Sequence, residues 1–330
     1  MKIAVVILNW NGKALLEQFL PSVIKFSKEA TVYVADNAST DGSVSFVKNH
    51  FPTVKIVQNE VNGGYAKGYN DALAKIEADI YCLLNSDVEV TKDWLVPVLK
   101  TFEESENVAA LQPKILDYKK KTHFEYAGAA GGFIDKFGYP YCRGRIFDTL
   151  EEDNGQYNGT TPIFWASGAC LFIRKSIFEK VGKLDEDFFA HQEEIDLCWR
   201  IQNQGYKIMY NGSSTVYHLG GATLDTMNPK KTFLNFRNSL FLLVKNVPGN
   251  NIWFLILSRL ILDGIAGVKF LFSGKFSHFF AILKAHYTFY RKLNHFIKKR
   301  KKLFRQGKYY SIFSVVWQYF ILKRKHFNQL

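Results

Sequence analysis

Four short apolar runs, at residues 3–8, 31–35, 54–58 and 79–84, alternate with stretches whose apolar residues recur nearer the helical period, as at 15–26 and 43–49. Strand then helix, repeated, implies a parallel sheet with right-handed crossovers. Ligands of such sheets bind beyond the carboxyl ends of the strands. The residues that follow each run are therefore where chemistry is expected. Pro21 falls inside the first helical pattern and is expected to kink it or to mark a boundary.

After the first run, Asn9-Trp10-Asn11-Gly12 places amide side chains and free backbone groups at a strand end. After the second comes Asp36-Asn37-Ala38-Ser39-Thr40-Asp41-Gly42. Asp36 is suited to accept hydrogen bonds from a nucleobase N–H or a ribose hydroxyl. Alternatively, Ser39 or Asp41 caps a helix starting at Ser43, and the rest is a turn. A third loop, Asn62-Gly63-Gly64-Tyr65-Ala66-Lys67-Gly68, leads into a helix expected at 70–76; its glycines let backbone approach a phosphate at a helix N-terminus. It is neither a Gly-x-Gly-x-x-Gly fingerprint nor a P-loop, which argues against both dinucleotide binding and that NTPase class. The fourth run ends in Asn85-Ser86-Asp87. A short carboxylate there suits a hard divalent cation beside a diphosphate, and the plainer alternative is a polar turn.

Residues 113–160 lack a clear period and read as long loops with short antiparallel strands. Beyond them a strand is expected at 171–173, a short helix at 175–181 and an amphipathic helix at 193–204, with Gly205 just past its end. Glu193, Glu194 and Asp196 open that last helix, where its dipole alone stabilises acids. Phe188, Phe189 and Trp199 make the surroundings apolar, and desolvation raises a carboxylate toward the range of a useful base. Asp196 and Arg200, four apart, read as a structural pair. His218 follows a further strand; a histidine in that position is more often packed or capping than a ligand.

The net charge of +13 is unevenly placed. Residues 246–330 hold 16 Lys/Arg and one acid, Asp263, whereas residues 1–245 hold 27 Lys/Arg and 29 Asp/Glu. Such asymmetry points to an anionic membrane surface or to nucleic acid. The tail's long aliphatic runs favour the membrane, since a phosphate-tracking surface does not need them. Its longer uncharged stretches, 246–258 and 309–322, fall short of the roughly 20 residues of a span, so helices lying in or re-entering the headgroup region are expected, with a single membrane segment near 252–272 as the alternative. Four scattered cysteines suggest neither a zinc site nor a disulfide framework, and the first apolar run is too short for a signal peptide. A reduced, non-secreted protein is expected.

Taken in order, these segments resemble the inverting family 2 glycosyltransferases, especially rhamnosyltransferase-like enzymes of bacterial surface polysaccharide assembly. The matching segments are 5–12, 36–39, 62–66, 84–88, 167–169, 182–189, 193–197, Arg200 and 218–221, spanning roughly residues 1–245. The resemblance implies an α/β GT-A fold with a mixed central sheet. Residues 1–112 would form its nucleotide-binding half and 113–245 its acceptor-binding half, with 246–330 a basic, apolar, membrane-associating helical extension. It implies a nucleotide-sugar donor held by Leu8, Asn9, Trp10, Asn11, Asp36, Asn37 and Ser39, then by Asn62, Gly63, Lys67, Asn85 and Ser86. The acceptor would be a glycan or polyprenyl-diphosphate-linked saccharide, in a pocket with Trp165, Ser167, Gly168 and Asp185. Asp87 and His218 would bind Mg²⁺ or Mn²⁺, and the pair Glu193/Glu194 would supply the base, with Glu194 favoured. The place of action implied is the cytoplasmic face of the bacterial inner membrane, without nucleic acid. The alternative is a non-catalytic membrane-associated assembly protein on the same fold. This sequence departs from the family pattern twice: Asn85 stands where many members carry a second carboxylate, and the acidic pair ends in Glu194 where Asp is usual.

Overall fold

The computed structural model describes residues 1–220, 228–249, 252–301 and 307–330. The first part realises the expected alternation: β1 (Ile3–Asn9), α1 (Lys13–Phe26), β2 (Ala30–Asp36), α2 (Ser43–His50), β3 (Lys55–Gln58), α3 (Gly64–Leu73) and β4 (Ile80–Asn85). β1 pairs in parallel with β2 on one side and with β4 on the other, and β3 lies outside β2. The strand order thus reverses between β1 and β4. A crevice opens at such a switch point, beyond the carboxyl ends of the two strands, where Leu8 lies opposite Asn85.

β5 (Val88–Val90), α4 (Leu95–Glu104) and β6 (Val108–Asp117) follow. The aperiodic region then forms a separate antiparallel sheet of four short strands, β7 (Gly132–Ile134), β8 (Pro140–Cys142), β9 (Arg145–Ile146) and β10 (Thr149–Leu150). Next come β11 (Thr160–Pro162), β12 (Cys170–Arg174), α5 (Lys175–Lys180), α6 (Glu193–Asn203) and β13 (Lys207–His218). β12 inserts antiparallel between β4 and β6, and β13 runs parallel to β6. The central sheet is therefore mixed, in the order β11-β13-β6-β12-β4-β1-β2-β3, with β5 paired to the end of β13. This is a GT-A architecture with helices at its C-terminal end.

The period of two decides what each face buries. Ala4 and Val6 of β1 and Tyr81 and Leu83 of β4 share a core with α3 and α6, while Ile3, Val5, Ile7, Ile80, Cys82 and Leu84 share another with α1 and α4. Two expectations shift. α1 continues through Pro21, which therefore marks no boundary; both Pro21 and Glu17, whose carbonyl loses its helical partner, are on the exposed side of the helix, where a freed carbonyl costs little. α3 begins at Gly64 rather than at residue 70. Its glycines serve close approach: a Cβ on Gly68 would lie 2.9 Å from the Asn37 amide.

α7 (Pro229–Asn246), α8 (Ile252–Phe272) and α9 (Phe276–Lys301) complete the helices, and the apolar stretch at 309–322 yields only one turn, Trp317–Ile321. α8 is amphipathic in the inverted sense. Two of its three charged residues, Arg259 and Asp263, are buried and paired at 2.8 Å, with the guanidinium 3.8 Å from the Tyr139 ring centre, and Lys269 is exposed near its end. Phe254, Leu257, Ile261, Ile265, Val268 and Phe272 point outward at helical spacing, continued on α9 by Phe276, Phe280, Leu283, Tyr287 and Tyr290. No described helix is long and apolar enough to cross a membrane.

Candidate active site

The ends of β1 and β2 are tied together by side chains. Asn9 is buried and donates to Asp36 and to the Ser39 hydroxyl, both at 3.1 Å, while Ser39 N–H returns a bond to Asp36. Asn11 N–H donates to Ser39 Oγ, and Asn11 Oδ1 accepts from Thr40 N–H. Asp41 accepts from the amides of Lys13 and Ser43, so it serves the first N–H of α2, although the N-cap position itself is Gly42. Asn37 links this layer to the glycine-rich segment by donating to Asn62 Oδ1 and to the Gly64 carbonyl. A carboxylate keeps lone pairs beyond two bonds, and Asn9 Oδ1 is buried without a partner. Trp10 is exposed beside them, and Lys67 pairs with Asp71 at 2.8 Å.

Asp87 lies just past β4, and its carbonyl accepts from Leu219 N–H, which draws the end of β13 against it. The result places Asp87 Oδ1 3.2 Å from His218 Nε2, with both side chains buried. Asn85 approaches the same ring nitrogen at 3.5 Å. On the other side of the ring, Glu125 Oε2 lies 3.2 Å from His218 Nδ1, an ion-pair contact that lacks hydrogen-bond geometry. Burial alone would lower the imidazole's pKa, but Glu125 and then Asp87 raise it to about 10. Glu125 falls in the aperiodic stretch and carries no sequence signal. Its carboxylate is fixed by Ala127 N–H and sits where a Cβ on Gly220 would come within 2.8 Å.

The acidic pair opens α6 after a turn that bends sharply through Phe189, His191 and Gln192. Glu193 is buried and Glu194 half-buried, and one oxygen of each lacks a partner. Burial, then the charge of Glu194, pushes Glu193 well above the usual carboxylate range. Burial likewise lifts Glu194 to about 7, against backbone amides that pull it down. The two therefore act as an interacting pair of acids. Asp196 behaves oppositely: burial would raise it, but Arg200 and Lys245 hold it near 2. The expected pair with Arg200 is present at 2.8 Å, extended by Lys245 and Asn246.

Tyr65 connects these groups, although no reading of isolated residues picks it out. Its N–H donates to the Phe189 carbonyl, its hydroxyl donates to the Gly168 carbonyl at 2.8 Å, and the charges of Glu193 and Glu194 act on it. Ser167 is held beside Gly168 by Gln112, which accepts from its N–H. Trp165 is buried with its indole N–H bonded to the Phe133 carbonyl. Asp185 is engaged elsewhere, paired with Lys245 at 2.7 Å and Lys299 at 2.5 Å. Of the four residues expected in an acceptor pocket, Gly168 thus meets the Tyr65 hydroxyl with Ser167 next to it, and Asp185 anchors α7 and α9.

The sequence pattern of the family described as "Glycosyl transferase family 2" matches residues 4–182. An N-acetylglucosaminyl-diphospho-decaprenol L-rhamnosyltransferase of Mycobacterium tuberculosis is 27% identical over 65% of this chain and 75% of its own. The low-salt glycan biosynthesis hexosyltransferase Agl10 of Haloferax volcanii is 24% identical over 62% and 63%. Among solved structures, GalNAc-T7 with UDP, GalNAc and Mn²⁺ superposes with a TM-score of 0.58 at 18% identity, covering 74% of this chain and 48% of that one. The mannosyltransferase PcManGT of Pyrobaculum calidifontis, with GDP-Man and Mn²⁺, gives 0.53 at 14% identity over 88% and 75%. With more than half its length inside the family pattern, this chain belongs to glycosyl transferase family 2 and is a glycosyltransferase.

Proposed function

We propose that the chain moves a sugar, with inversion, from a nucleoside-diphosphate donor to a hydroxyl of a glycan or lipid-diphosphate-linked acceptor in surface polysaccharide assembly. The observation that carries this is the acidic pair: one buried carboxyl oxygen of each of Glu193 and Glu194 lacks a partner, and Glu194 is raised to about 7. Such a carboxylate removes a proton efficiently at neutral pH. Glu194 takes the proton of the acceptor hydroxyl as that oxygen bonds to the anomeric carbon opposite the diphosphate. The bond to the diphosphate breaks with its electron pair, and configuration inverts in one displacement. A single base suffices, whereas a glycosidase flanks its bond with two carboxylates. Asn9, Asp36, Asn37 and Asn62, at the strand ends, hold and orient the nucleoside.

Asp87 offers a hard oxygen for Mg²⁺ or Mn²⁺, and His218 beside it would add a nitrogen donor on giving up the proton that Glu125 and Asp87 hold on the ring. No group of three ligating side chains converges on one point among the described residues; Glu125 acts from behind the ring, as the outer carboxylate of a carboxylate–histidine–metal arrangement does. When bound, the cation supplies charge stabilisation to the departing diphosphate.

The outward apolar stripes of α8 and α9 and the basic excess of residues 246–330 support attachment in the plane of an anionic bilayer, on the cytoplasmic leaflet. There the acceptor would be lipid-linked, as the name of the mycobacterial relative says of its substrate. Thermal-shift titration with UDP-, dTDP- and GDP-sugars, with and without Mn²⁺, tests the donor reading. One nucleotide class should raise Tm by mass action, more so with Mn²⁺; no shift with any of them would contradict the reading.

A further inference from the structure

We propose that Arg237 and Asn238 of α7 are positioning residues that hold the turn at 188–192 in the conformation that aims Glu193 and Glu194 at the acceptor. The proposal rests on the reading of that pair as the base.

The turn contains three non-glycine residues at positive φ: Phe189 at 66°, His191 at 70° and Gln192 at 71°. L-residues persist there only where their surroundings over-determine the backbone. The Asn238 amide donates to the carbonyls of Phe188, Ala190 and His191, at 3.0, 2.9 and 2.7 Å. Three acceptors on an NH₂ group mean that at least one bond is shared. Arg237 Nε donates to Asn238 Oδ1 at 2.9 Å, which fixes the amide's orientation, and Arg237 Nη2 donates to the Phe188 carbonyl at 2.9 Å. Gln192 is tied to the same helix through Ser239 Oγ and the Asn235 carbonyl.

What the turn controls follows from its bonds. The Gln192 carbonyl accepts from Asp196 N–H as α6 begins, so the backbone at Gln192 sets the direction in which the next two side chains leave. The Phe189 carbonyl accepts from Tyr65 N–H, which ties the turn to the glycine-rich donor segment. Asn238 is fully buried and its amide group is bonded on both sides, so it acts through the turn and does not touch substrate. α7 grips α6 separately through Lys245 and Asn246 on Asp196, so losing the Asn238 amide leaves the helices joined.

The test compares the full chain with N238A and with H191G/N238A. It reads transfer kinetics with the donor that stabilises the wild type, and amide hydrogen exchange. Misplacing a catalytic group by a fraction of an ångström is costly, so N238A should lower kcat about 30-fold while KM for the donor stays within about two-fold. Exchange should rise across 188–195 and stay unchanged in β4 and β13. Glycine tolerates positive φ, so H191G/N238A should recover about five-fold of the lost kcat, which a merely structural role would not allow. Unchanged kcat in N238A, or a loss spread over all of α6 and α7 that glycine does not restore, overturns the proposal. If no protein transfers sugar, wild type included, yet exchange still rises only at 188–195, the base assignment falls and the hold on the turn stands.

Discussion

In the proposed reaction Asp87 and Glu194 carry different parts of the chemistry, and their environments differ. Glu194 is ordinarily an acid of pKa 4.5 and here is raised to about 7. Its protonated form therefore stabilises the fold fully below about 4.5, and that contribution is lost as pH rises through about 7. Activity runs the other way: kcat/KM should climb as pH passes about 7, because the base must be ionised, and a profile flat from pH 5 to 9 would exclude Glu194. E194Q should lower kcat by about 10² to 10⁴ while nucleotide affinity, read by titration calorimetry, is kept. E125Q removes only the carboxylate behind His218, and should weaken Mn²⁺ binding about 10- to 100-fold by direct titration. Asp87, Glu193 and Glu194 stood out in the sequence, because each follows a strand or opens a helix, whereas His218 read as a packed or capping residue and became a candidate only through the family resemblance. Glu125 did not stand out, since it reaches His218 from a segment with no period, and only the pairing of β13 with β6 brings them together.

At the scale of elements, pattern reading succeeded where burial alternates and failed where glycine has two meanings. The sequence of Gly63, Gly64 and Gly68 reads as a loop, yet Gly64 opens α3 and Gly68 lets the helix pack on Asn37. Asp185 shows a related limit, since its cationic partners lie about 60 and 114 residues later. In α8, two of the three charges that interrupt an apolar run, Arg259 and Asp263, turn inward and pair, so the exposed face is more apolar than the sequence average suggests. Removing one partner of a buried pair strands the other, and D263A should cost about 3–5 kcal/mol in chemical denaturation. I261E/I265E lies on the outer face and should leave Tm nearly unchanged. It should abolish cosedimentation with phosphatidylglycerol vesicles; retained binding would mean that this face is not the attachment surface.

Across the whole molecule, strand order does what no local motif can. Reversal between β1 and β4 puts Asn9 and Asp87 at one crevice, and insertion of β12 between β4 and β6 brings Gly168 beside the Tyr65 hydroxyl. The Phe189–Tyr65 bond then ties the turn before the acidic pair to the start of α3, which Asn37 joins to the loop after β2. That convergence predicts one displacement with one base. Proton NMR of the glycoside formed from the stabilising donor measures it directly. The account predicts a product whose anomeric configuration is opposite to the donor's, formed by the wild type and absent with E193Q/E194Q. A product that retains the donor's configuration, or one that forms unchanged in E193Q/E194Q, would contradict it.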